Sequence, residues 1–188
     1  MDLKSKVSQL PLLPGVYLYK NAHGEVIDAV DGRGGHTQSA FDAHGNPLSV
    51  QLPDGSQSRA RYDALGRVIE RTDARGTRTA FTYDAAGNLV SLTQRKGQPN
   101  ETVTRYTYDT IDRRVATSVA PGTAQERAES QSYDTMGNIL TFSDGLGAQT
   151  RYDYDVLARR VKTTNPLGHV TTYQYDKEDN LTRIEPPL

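Results

Sequence analysis

The chain has 188 residues, 22 basic and 23 acidic side chains, 11 Tyr and no Cys. Its length suits about one domain, and the absence of Cys excludes disulfide frameworks, thiolate metal sites and cysteine nucleophiles. Counted with Gly and without Tyr, about 71 residues, roughly 38%, are apolar, against ~45–50% in an ordinary globular domain. Balanced charge and abundant Tyr argue against disorder and for half-buried β-structure. No apolar run of ~18 residues exists, so no helix spans a membrane. The interspersed charges give no electrostatic case for nucleic acid or anionic lipid.

From the N-terminus, Leu3, Val7 and Leu10 have the spacing of a short amphipathic helix. The segment shows no signal-peptide h-region, which implies a cytoplasmic start for the chain as written, while a full-length parent is compatible with secretion. Val16–Lys20, an Asn-Ala-His-Gly turn and Glu25–Val30 read as a hairpin. Residues 1–30 are thus expected to cap an array formed by residues 31–188.

An aromatic-Asp pair then recurs at Phe41-Asp42, Tyr62-Asp63, Tyr83-Asp84, Tyr108-Asp109, Tyr133-Asp134, Tyr154-Asp155 and Tyr175-Asp176, with spacings of 21, 21, 25, 25, 21 and 21. Gly45, Gly66, Gly87 and Gly137 follow three residues after the Asp, replaced by Asp112, Ala158 and Asp179 elsewhere. A second turn signal comes about ten residues on, as in Asp73-Ala-Arg-Gly76, Asp144-Gly-Leu-Gly147 and Asn165-Pro-Leu-Gly168. Segments such as Thr104-Arg-Tyr106-Thr-Tyr108 and Thr150-Arg-Tyr152-Asp-Tyr154 alternate with period 2, which puts Thr and the aromatics on one strand face. Leu89-Val90-Ser-Leu92 and Ile139-Leu140-Thr-Phe142 read as the return strands.

Each repeat is therefore a β-hairpin in which Asp bonds its own backbone and Gly supplies positive φ. Hairpins are marginal alone and must pair edge to edge. The expected fold is all-β: a curved single-layer sheet of about fourteen to sixteen antiparallel strands, with a Tyr ladder on one face whose hydroxyls stay wet. The 25-residue spacings lengthen the second turn at residues 94–101 and 120–127, as surface loops.

Possible chemistry is sparse. His23 and His44 hold equivalent turn positions, and the Asp column serves turn geometry rather than a metal, so neither a metal site nor a cofactor is expected. Arg67, Arg113 and Arg159 are expected to pair with neighbouring acids. No phosphate loop, nucleophile elbow or acid pair occurs, which points away from an enzyme.

The pattern from Tyr62-Asp63 through Gly66 to Tyr83-Asp84 and Gly87 resembles the YD repeats of the rearrangement-hotspot (Rhs) family over residues 20–185. That resemblance implies a scaffold role: in that family such repeats form a β-shell around a C-terminal toxin or a cell-surface barrel. The partners it implies are an enclosed toxin or neighbouring shell repeats in a parent protein. Leu10 to Ile27, with Gly15-Val16-Tyr17, is similar to the opening hairpin of GIY-YIG nucleases of the excinuclease C type. It lacks that family's second Tyr and Gly, so the combination reads as a chimera without nuclease activity. Unpaired edge strands point to a homo-oligomer. Two competing readings are a glycan- or protein-binding module using the Tyr ladder, and a vestigial nuclease.

Overall fold

The computed structural model describes residues 17–187. The expected N-terminal helix, with Gly15 and Val16, lies outside the described residues. Sixteen strands follow, hydrogen-bonded in chain order and antiparallel. They are β1 (Tyr17–Lys20), β2 (Val26–Val30), β3 (His36–Phe41), β4 (Pro47–Gln51), β5 (Gln57–Tyr62), β6 (Val68–Thr72), β7 (Arg78–Tyr83), β8 (Leu89–Gln94), β9 (Thr102–Tyr108), β10 (Arg114–Val119), β11 (Arg127–Tyr133), β12 (Ile139–Ser143), β13 (Gln149–Tyr154), β14 (Arg160–Thr164), β15 (Val170–Tyr175) and β16 (Leu181–Glu185). The described residues contain no helix.

Contacts divide the chain into two units, Met1–Ala80 with Arg95–Gly97, and Phe81–Gln94 with Gln98–Leu188. In the first unit, the loop residue Lys96 joins β7 and β6: its amide donates to the Arg78 carbonyl at 3.0 Å and its Nζ lies 3.5 Å from Glu70. In the second unit, β8 to β16 pair through successive ladders such as Ser91↔Arg105, Thr117↔Glu129 and Tyr152↔Thr163.

The period-2 expectation is met strictly in β3 and β13, and at the C-terminal end of the other odd strands from β5 to β15. In β13, Thr150, Tyr152 and Tyr154 are half-buried, while Gln149, Arg151 and Asp153 are exposed. The even strands break alternation for a structural reason. A bulge follows the turn, so that Tyr62 pairs with Val68 but Arg61 with Glu70, and Ile69 is the extra residue. The same shift recurs at Tyr133↔Ile139 and Tyr154↔Arg160. Adjacent apolar pairs such as Val68-Ile69 and Ile139-Leu140 are what such a bulge accommodates, because two residues there oppose one.

A single layer buries one face at most, and among the described residues no side chain is fully buried. Among the described residues the Tyr face reaches half-burial only, from its neighbours within the layer.

Candidate functional site

The repeated element with the most side-chain structure is the Tyr-Asp turn, and its geometry follows from the Asp. In the turn at Asp63, the Asp63 amide donates to the Arg67 carbonyl at 2.9 Å and the Gly66 amide to the Asp63 carbonyl at 3.0 Å. The Asp63 carboxylate accepts from the amides of Leu65 and Arg67 with one oxygen and from Arg67 Nε at 2.8 Å with the other. The same backbone pair closes the turns at Asn21, Asp42, Asp84, Asp109, Asp134, Asp155 and Asp176. Where Arg67 has no counterpart, Asn46, Asn138 and Asn180 donate their side-chain amides to Asp42, Asp134 and Asp176 at 2.9, 2.8 and 3.0 Å.

The position three residues after the Asp takes the left-handed backbone: Gly66 at φ 76°, Gly87 at 100° and Gly137 at 94°. Asp112, Ala158 and Asp179 adopt φ of 62°, 61° and 64° at the same place, and so carry a Cβ where Gly is unstrained.

These bonds hold the carboxylates in their charged form. The Asp42, Asp134 and Asp176 acids lie below the ordinary carboxylate value, first because Asn46, Asn138 and Asn180 donate side-chain amides to them, then through backbone amides. Asp31 and Asp155 are lowered first by the backbone amides of Gly35 and Arg159. Carboxylates saturated in this way have a structural task.

The predicted Tyr column ends the odd strands. Tyr62, Tyr83, Tyr108, Tyr133, Tyr154 and Tyr175 each stand at the last residue of β5, β7, β9, β11, β13 and β15. Four of their hydroxyls bond backbone carbonyls. Tyr62 donates to the Pro47 carbonyl at 3.0 Å, Tyr108 to Leu89 at 3.0 Å, Tyr133 to Arg114 at 3.1 Å and Tyr175 to Arg160 at 2.9 Å. Each acceptor opens the last strand of the preceding repeat.

The ladders explain the choice of acceptor. Pairing of β8 with β9 stops at Ser91↔Arg105, pairing of β10 with β11 at Ala116↔Ser130, and pairing of β14 with β15 at Lys162↔Thr172. The Leu89, Arg114 and Arg160 carbonyls lie two residues beyond, where the ladder supplies no amide, and Tyr supplies the hydroxyl. Tyr154 makes no such bond, and burial raises its hydroxyl's pKa above the usual value.

The arginines extend the connection. Arg113 pairs with Asp109 at 2.7 Å, donates to the Asp134 carbonyl at 2.8 Å and lies 4.5 Å from the centre of the Tyr133 ring. Arg159 pairs with Asp155 and Asp179 at 2.7 Å, donates to the Asp176 carbonyl at 3.1 Å and lies 5.0 Å from the Tyr175 ring. Each thus binds the acid of its own turn and the Tyr-Asp pair of the next. The sequence indicates the acid partner but not the stacking, because Tyr133 lies twenty residues from Arg113.

Both turn histidines sit at exposed tips, and the His44 amide caps Asp42 at 2.8 Å. Among the described residues, no group of three or more His, Asp or Glu converges as a metal site would require. No helix among them is long and apolar enough to cross a membrane.

A layer of two-turn hairpins in which Tyr62, Tyr108, Tyr133 and Tyr175, with Arg113 and Arg159, bond a neighbouring repeat defines a β-repeat protein. The RHS repeat family profile matches residues 62–99, 133–170 and 159–186, and the chain carries Rhs (YD) repeats. No curated protein matches the sequence. Among solved structures, the crystal structure of TcdB2-TccC3-Cdc42 is similar at 15% identity and TM-score 0.45, over 90% of this chain and 12% of that one. The Photorhabdus luminescens Tc holotoxin pore is similar at 14% identity and TM-score 0.45, over 90% and 12%. The crystal structure of TcdB2-TccC3 gives 14% identity and TM-score 0.32, over 96% and 15%. The chain thus spans only 12–15% of the length of the chains it matches.

Proposed function

We propose that the chain is a non-catalytic wall segment of an Rhs-type β-shell, whose task in a parent protein is to pair with neighbouring repeats around an enclosed toxin. The observation that carries this reading is the use of the side chains. The acids of the Tyr-Asp column, the arginines beside them and four of its tyrosines are spent on joining one turn to itself or to the next. A layer whose polar groups are committed in this way serves extension rather than turnover.

Within this reading the chain self-associates, through a sheet edge or through the Tyr face. The strand order gives β1 and β16 one hydrogen-bonded neighbour each among the described residues, and half-satisfied strands recruit partners. Light scattering across a concentration series tests this. A rising mass toward a dimer or larger is expected, and a constant monomer mass at high concentration would contradict it.

A further inference from the structure

The residue two before each Tyr-Asp forms its own column: Ser39, Ala60, Phe81, Tyr106, Gln131, Tyr152 and Tyr173. Four of the seven are aromatic. The other three differ in what replaces the ring. Gln131 folds its amide down, donating to the Arg114 carbonyl at 2.8 Å and to the Tyr133 hydroxyl, and the space left beside it is only about 90 Å³. Ser39 stands opposite Val50. Ala60, one repeat on, has no atoms beyond Cβ with which to fill the place, and here an open hollow of about 380 Å³ lies against Val50, Ala60, Tyr62 and Arg71.

The cross-strand partner is also unusual. Tyr106 and Tyr152 face Thr117 and Thr163, whereas Ala60 faces Arg71. Arg71 is exposed and has no ion-pair partner among the described residues. Elsewhere in the chain, guanidinium groups lie over the rings of this same column: Arg160 is 4.9 Å from the Tyr173 ring and 5.8 Å from Tyr152, and Arg114 is 5.8 Å from Tyr106. At Ala60 the guanidinium is present and the ring is missing.

We propose that the Ala60 hollow binds a planar aromatic ring bearing a carboxylate. The ring takes the place that Phe81, Tyr106, Tyr152 and Tyr173 fill in their own repeats, flat against Val50 and beside the Tyr62 ring. Arg71 meets the ring face and the anionic group together, a pairing that suits a guanidinium better than an ammonium. This inference does not depend on the shell reading, since it concerns one column position within the first unit.

The test is a titration of the full chain with 4-hydroxyphenylacetate, followed by amide NMR, with cyclohexylacetate as a control of equal charge and no aromatic ring. Binding is expected to shift the amides of Val50, Ala60 and Tyr62, with cyclohexylacetate clearly weaker. Ala60→Tyr restores the ring from within, so it is expected to abolish the shifts while leaving the melting temperature unchanged or higher. Arg71→Gln, an exposed change that leaves the hollow intact, is expected to weaken binding roughly two- to five-fold, the range of an exposed cation–π contact. Absent shifts at tens of millimolar ligand, equal binding of cyclohexylacetate, or undiminished binding by folded Ala60→Tyr would each overturn the proposal.

Discussion

The Tyr108 hydroxyl lies 3.0 Å from the Leu89 carbonyl and satisfies it at the point where the β8–β9 ladder has ended. The bond crosses from one repeat to the one before it. Tyr108→Phe removes the hydroxyl while keeping the ring, and is expected to cost about 0.5–1.5 kcal/mol, the usual net worth of one hydrogen bond. Denaturant unfolding at constant m-value measures it. Tyr133→Phe is expected to cost less, because Gln131 still donates to the same Arg114 carbonyl.

The reverse change is available in the first repeat. Phe41 holds the Tyr position and has no hydroxyl, and the β2–β3 ladder stops at Asp28↔Gln38, two residues short of Val26. Phe41→Tyr is expected to gain up to about 1 kcal/mol by bonding the Val26 carbonyl. An unchanged or lower stability in the same denaturation would show that the hydroxyls are incidental.

Ala158 holds φ at 61°, where its Cβ is strained. Ala158→Gly is expected to stabilise by roughly 1 kcal/mol, the left-handed penalty less the extra entropy of Gly in the unfolded chain. Gly66→Ala, at φ 76°, is expected to destabilise by a similar amount, although a Cβ there meets nothing closer than 3.8 Å. The opposite signs of the two melting shifts check that backbone conformation, and not space, sets this position.

Arg159 combines a turn acid, a carbonyl and a ring. Asn occupies the same position as Asn46, Asn138 and Asn180 and bonds the turn Asp. Arg159→Asn is therefore expected to keep the turn and lose only the link to Tyr175 and Asp176, while Arg159→Ala loses both. Melting temperatures are expected to fall in the order wild type, Asn, Ala, with the gap between wild type and Asn narrowing in high salt.

The turn acids give an acid limb to stability. Their folded pKa values are lowered, so the unfolded chain binds protons first as pH falls. Their contribution is fully present above the unfolded value, near 3.9, and is lost as pH drops through the lower folded values. The melting temperature is expected to stay level from pH 7 to about 5 and to fall below pH 4. Asn165 holds its turn with the same two amide bonds that Asp31 makes. Asp31→Asn is thus expected to melt normally at pH 7 and to flatten the acid limb, and an unchanged limb would remove Asp31 from this account.

Much of this fold is legible in the residues. The 21- and 25-residue spacings mark the turns, Thr150-Arg-Tyr152-Asp-Tyr154 marks a face, and Asp with Gly at a fixed offset marks the turn chemistry. The targets of the hydroxyls are not legible, because Tyr175 and Arg160 meet only where a ladder runs out and a bulge has reset the register. The half-burial of the Tyr face is likewise a property of a single layer, whose side chains are covered only by their neighbours within it. The Ala60 hollow shows in the column as a small residue, but its partner Arg71 emerges only from the register.

The central claim is that ladders, turn acids and tyrosine hydroxyls hold this sheet without a buried core. Residue-resolved amide hydrogen exchange tests it most directly. The account predicts slow exchange at ladder amides of β9, β11 and β13, at turn amides such as Arg113 and Arg159, and faster exchange in the loop at residues 120–127. Rapid, uniform exchange along β9 to β14 under native conditions would contradict it.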